Sequence, residues 1–149
     1  MYIYGKTFDE FSLGEKMMFA PTTVTETHIT LFAGLSGDLN PLHVNEEFAK
    51  KTLFKGKVAH GMLTASIMSG PVGMLVAGTS MALLSVSFKF TSPVKAGDTI
   101  HVEAEVLEKR PSKKYRGGVV KLGMLCKNQR EETVAEGDMV LLVSNERGP

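Results

Sequence analysis

The run Gly61-Met62-Leu63-Thr64-Ala65-Ser66-Ile67-Met68-Ser69-Gly70-Pro71-Val72-Gly73-Met74-Leu75-Val76-Ala77 decides the fold class. It is almost continuously small and apolar, and its few polar residues (Thr64, Ser66, Ser69) are small as well. A helix that is apolar on nearly every side is expected to be buried. Pro71 has no N–H to give to the Ile67 carbonyl, so a kink or an early end is expected there. Beyond residue 82 the period changes to two. Leu84, Val86, Phe88 and Phe90 alternate with Ser85, Ser87 and Lys89, and Ile100, Val102, Ala104 and Val106 alternate with His101, Glu103 and Glu105. Val120, Leu122, Met124 and Cys126 form a third run, and Val134 to Val143 a fourth that is apolar on both faces near its end. This pattern marks antiparallel strands with at least one buried face. A buried helix followed by four such strands implies an α+β domain, with the helix lying against a curved antiparallel sheet.

Towards the N-terminus, short apolar pieces around Gly5 and Gly14 suggest one or two short strands within residues 2–20. Thr23-Val24-Thr25-Glu26 fits a capping box, with Glu26 reaching back to the Thr23 amide. Ile29, Phe32, Ala33 and Ser36 follow at helical spacing, so residues 24–36 read as a helix that Gly37 ends. Residues 37–60 are mostly loop, with turns at Asn40-Pro41 and Lys55-Gly56-Lys57 and a short helix that Asn45 caps.

Size and charge narrow the function classes. The 149 residues are the length of one ordinary domain, read as residues 1–149 together. Hydrophobic residues at 43% and charged residues at 22% suit a globular chain, and a net charge of +1 gives no field that would gather nucleic acid or an acidic membrane. The nine methionines fill core space and are compatible with an aliphatic guest. The single Cys126 cannot form an internal disulfide and reads as a small core residue. Nothing from Met1 to Lys6 resembles a leader, and no apolar run approaches the ~20 residues of a membrane span. A cytoplasmic protein is the expectation.

The chemistry concentrates between residues 32 and 70. Asp38 and His43 flank a helix end and a proline turn, where a loop can aim both side chains into one cavity. An acid and an imidazole held together can position one water, one group removing a proton while the other supplies one. On spacing alone the pair is equally compatible with an Asx turn and an ordinary loop histidine. Gly61 opens the buried helix, whose first amides carry positive partial charge, and glycine lets a ligand approach them closely. Such amides can polarise a thioester carbonyl. The plain alternative for Gly61 is close helix–sheet packing, and for Ser69 a small residue in a crowded core.

Taken together, Phe32-Ala33-Gly34-Leu35-Ser36-Gly37-Asp38-Leu39-Asn40-Pro41-Leu42-His43, Ala59-His60-Gly61-Met62-Leu63, Ser66-Ile67-Met68-Ser69-Gly70 and the Phe88-to-Asp98 strand and turn resemble the MaoC-like dehydratase family. That family includes the (R)-specific enoyl-CoA hydratases. The resemblance covers essentially the whole chain and implies the hotdog fold, a long helix wrapped by an antiparallel sheet, paired as a homodimer with the site near the interface. It implies that Asp38 and His43 hold the reacting water, that the Gly61 N–H binds the thioester oxygen, and that Ser69 lines the acyl site. Asn40 matches the motif's asparagine and reads as holding the loop. The substrate implied is a CoA or acyl-carrier-protein thioester, with no metal or other cofactor. His28, His60 and His101 do not read as a metal set, and His60 reads as structural. The basic stretch Lys109–Arg116 reads as a solvated hairpin loop, its alternative being a dock for CoA phosphates or an acidic carrier. Competing functions are a hotdog thioesterase, which would attack the carbonyl instead of C3, and a non-catalytic acyl-thioester binding subunit.

Overall fold

The computed structural model describes residues 4–148. Met1, Tyr2 and Ile3, on which the reading of a missing leader partly rests, lie outside the described residues. The 3-10 turn Phe8–Glu10 is the first element of the described residues. Two short strands follow, β1 at Lys16–Met18 and β2 at Thr22–Thr23. Helix α1 spans Glu26–Ser36, and two one-turn helices, α2 at Pro41–Val44 and α3 at Glu46–Ala49, lead to the long helix α4 at Gly61–Leu75. Four long strands complete the fold: β3 Ser80–Phe90, β4 Thr99–Pro111, β5 Gly117–Lys127 and β6 Thr133–Ser144.

The strands are antiparallel in the order β1-β4-β5-β6-β3, with β2 also paired to β4. Their inward residues follow the alternation of the sequence. Ile100, Val102, Ala104 and Val106 of β4 and Val120, Leu122, Met124 and Cys126 of β5 are buried, and Met68 and Val72 of α4 join them in one core. This is the hotdog arrangement that the resemblance implied. Burial pushes the Cys126 thiol up to about 11, so it stays a neutral core group.

Four expectations need correction. The N-cap of α1 is Thr25, not Thr23: its side chain accepts from the His28 amide, and His28 Nδ1 accepts from the Thr25 amide. Histidine here fills the place that glutamate usually takes in a capping box. Helix α4 does not stop at Pro71. Proline removes one donor only, and Val76 N–H still reaches the Val72 carbonyl, so the helix runs to Leu75. Nor is α4 buried all round. Met62, Ser66, Gly70 and Gly73 fall on one exposed stripe, because the sheet covers the opposite side only. Lastly, β3 lacks the buried face that its alternation promised. Leu84, Val86 and Phe90 are 52%, 45% and 47% exposed. Among the described residues this strand pairs with β6 alone, and a register shift between Leu83 and Ser85 breaks its alternation.

Candidate active site

Helix α1 ends where Gly37 turns left-handed, at φ 76°, with its N–H on the Ala33 carbonyl. Glycine accepts that backbone without strain. The turn delivers Asp38 to the surface side of the loop. Ser36 Oγ accepts from the Asp38 amide at 3.2 Å, and Asp38 Oδ1 accepts from the Asn40 amide at 3.2 Å. Asn40 caps α2, its Oδ1 accepting from the Leu42 amide at 3.0 Å, and Pro41 takes the first helical position. One turn later comes His43.

The two expected partners meet. His43 Nε2 lies 3.9 Å from Asp38 Oδ2; the imidazole is 12% exposed and the carboxylate 53%. His43 Nδ1 is 2.7 Å from the Val58 carbonyl oxygen. A carbonyl can only accept, so Nδ1 carries the proton and Nε2 is the nitrogen presented to Asp38.

His60, immediately before α4, completes the group. Its ring stacks on His43 with centroids 3.8 Å apart and planes at 27°, and Phe32 meets it edge-on at 5.0 Å. Its Nε2–H donates to the Asp38 main-chain carbonyl at 3.0 Å. His60 reads from the sequence as structural, and the one signal that it belongs to the site is its place directly before Gly61. It was also expected to stand apart from any metal set, yet one ligand atom each from Asp38, His43 and His60 lie within 4.8 Å of one another. His43 Nδ1 and His60 Nε2 are already committed to the Val58 and Asp38 carbonyls, so His43 Nε2, His60 Nδ1 and the Asp38 carboxylate are the atoms left that could hold an ion.

Gly61 is the first residue of α4, and His60 places no side-chain cap over the first amides. A methyl added at Gly61 would meet the Phe90 ring at 3.4 Å, so Phe90 of β3 flanks this helix start. A cleft of about 310 Å³ opens here, lined by His43, Val58, Gly61, Thr64, Phe90 and Val94 among others. Ser69 stands apart from that lining. It is two turns further along α4, and its hydroxyl donates to the Ser66 carbonyl at 2.8 Å. The basic hairpin is also remote. Gly118 pairs across to Val143 at the hairpin end of the sheet, whereas Cys126 pairs across to Ala135, the partner of Phe90. Those rows are eight positions apart, roughly 27 Å at ~3.4 Å per residue. Several of the hairpin's cations are already engaged: Lys109 Nζ donates to the Phe11 carbonyl at 2.7 Å, and Arg116 pairs with Glu146 at 2.5 Å.

Known proteins match this fold and motif. The MaoC-like domain matches residues 10–127. The chain belongs to the MaoC-like dehydratase family. It is 41% identical over 108 residues to an (R)-specific enoyl-CoA hydratase of Rhodospirillum rubrum, covering 72% of this chain and 74% of that one. Among solved structures, R-hydratase PhaJ1 from Pseudomonas aeruginosa superposes with a TM-score of 0.85 at 32% identity, covering 97% of this chain and 89% of that one. A Mycobacterium tuberculosis protein with a double hotdog fold aligns at TM-score 0.81 and 19% identity, over 97% of this MaoC-like chain and 46% of that one. At that identity it speaks for the fold alone. Among the described residues no helix is long and apolar enough to cross a membrane.

Proposed function

We propose that this MaoC-like enzyme is an (R)-specific 2-enoyl-CoA hydratase, adding water reversibly to trans-2-enoyl thioesters of fatty-acid metabolism. The observation that carries the reading is the 3.9 Å separation of His43 Nε2 and Asp38 Oδ2. That gap is too long for a direct hydrogen bond and short enough for both groups to hold one water at the same time. Asp38 and His43 are its catalytic pair. The water's hydroxyl goes to C3, and a proton reaches C2 from the same side. The Nδ1–H bond to Val58 leaves Nε2 as the His43 nitrogen that exchanges the proton. The Gly61 N–H, at an uncapped helix start, stabilises the thioester oxygen as negative charge develops there. Asn40 holds the loop through its bond to the Leu42 amide, and Ser69, outside the cleft lining, keeps a place near the acyl group only as an assignment by family. No metal or other cofactor has a step in this reaction. The hydratase reading of the R. rubrum relative and of PhaJ1 supports the assignment by family.

The partner in this reading is a second copy. Strand β3 offers an edge that no strand among the described residues covers, bearing exposed Met81, Leu83, Leu84, Val86 and Phe90. An uncovered apolar edge strand is a template for pairing. Phe90 belongs to both the edge and the cleft, which supports a site beside the proposed seam. The single buried thiol suits a reducing, cytoplasmic compartment. Turnover of an enoyl-CoA in heavy-oxygen water tests the reaction type. The label should enter the C3 hydroxyl of a 3-hydroxyacyl-CoA. Label in a released carboxylate would instead establish the thioesterase.

A further inference from the structure

His60 is a buried titratable group that the proposed reaction does not use. Only 2% of it is exposed, and its Nδ1 is buried without a hydrogen-bond partner. A buried polar atom left unpaired is costly. An apolar ring of similar shape would fill the same space without that cost. Packing therefore does not account for a histidine here; the hydrogen bond of its side chain does. That bond runs from Nε2–H to the Asp38 carbonyl, across 22 residues of chain.

Asp38 needs such a tie. It sits in a surface loop, its side chain is 53% exposed, and its neighbouring bonds to Ser36 and Asn40 are local and 3.2 Å long. His60, by contrast, is anchored in the body of the protein, its carbonyl accepting from the Leu63 and Thr64 amides of α4. The ring that holds Asp38 also backs His43 at 3.8 Å, and the next residue is Gly61.

We propose that His60 is a positioning residue that sets the mutual placement of the Asp38 carboxylate, the His43 imidazole and the Gly61 N–H. This rests on the hydratase reading of the same site. A displacement of about 1 Å among reacting groups costs about 100-fold in rate, so the effect belongs in kcat and not in KM.

Three variants separate the two contacts. His60→Phe keeps a flat ring against His43 and deletes the donor; His60→Gln restores an amide donor without the ring; His60→Ala removes both. With crotonyl-CoA, kcat should fall by about 100-fold in His60→Ala and His60→Phe while KM stays within about threefold, and His60→Gln should recover to within about tenfold of the parent. In the ligand-free protein, the carbon resonance of the Asp38 carbonyl should shift in His60→Phe and return towards the parent position in His60→Gln. The proposal is overturned if folded His60→Phe keeps kcat within about twofold of the parent, or if that resonance stays put. A loss of activity that merely follows a fall in Tm, with the resonance unmoved, also overturns it. If His60→Ala does not fold, His60→Phe and His60→Gln decide the matter. If the parent protein hydrates nothing, the function reading fails by itself, and the ligand-free resonance still decides the role of His60.

Discussion

At the first position of α4, Gly61 can be tested by a substitution that removes one atom's chemistry. Proline is tolerated at a helix's first position, and His60 before it already has the extended backbone that precedes proline well, at φ −58° and ψ 139°. Gly61→Pro should therefore keep the helix start while deleting the N–H assigned to the thioester oxygen, its ring also taking space beside Phe90. Hydration should fall by about 100- to 1,000-fold, the loss typical of removing an oxyanion donor. Steady-state kinetics beside a melting curve would check this, and a folded variant at parental rate would take Gly61 out of the mechanism. Asp38→Asn and His43→Gln each keep a polar side chain of similar size, and each should lose activity by at least about 100-fold without loss of Tm. The residue scale was also where the sequence was most legible. The Asp38-to-His43 spacing, the left-handed Gly37 and the helix start at Gly61 all stand where the motif put them. What it hid was His60, because a contact across 22 residues leaves no periodic trace. It also hid the Thr25–His28 cap, because histidine is an unusual partner for that place.

Elements were legible wherever the core decides them. Strands β4 and β5 are covered by α4, so their inward residues alternate and stay buried. The edge strand β3 carries the same alternation and is exposed, since period two records which residues want cover but not which chain supplies it. Pro71 misled for a related reason: a helix held by packing on Met68 and Val72 survives the loss of one backbone bond. The opening 3-10 turn offers an independent test of how the N-terminal segment is held. Glu10 accepts from the Thr7 amide at 2.8 Å and from Arg147 at 2.7 Å. The Thr7 bond first, then Arg147, lowers its carboxyl from 4.5 to about 2. Because the folded value lies below the ordinary one, this stabilisation is fully present above pH 4.5 and is lost as the pH falls towards 2. Glu10→Gln should flatten the pH dependence of the urea midpoint in that window. An unchanged slope would show that the carboxylate contributes nothing there.

On the scale of the whole molecule, the uncovered β3 edge and the half-open α4 stripe are faces that a second copy would close. Sedimentation should give a dimer. Leu84→Lys or Val86→Lys, which place a charge on that edge, should shift the protein to monomer. A parental dimer in both variants would move the interface elsewhere. The basic hairpin lies at the end of the sheet remote from the Phe90 cleft.

In the proposed reaction Asp38 and His43 add water to C3 of an enoyl thioester. The most direct test mixes the purified protein with crotonyl-CoA and follows the conjugated enoyl-thioester absorbance, with a free-thiol assay in parallel and Asp38→Asn as the control. Loss of absorbance without thiol release is expected, absent in the control, with a 3-hydroxyacyl product of (R) configuration. Thiol release by the parent protein, or equal loss of absorbance by the control, would contradict that reaction.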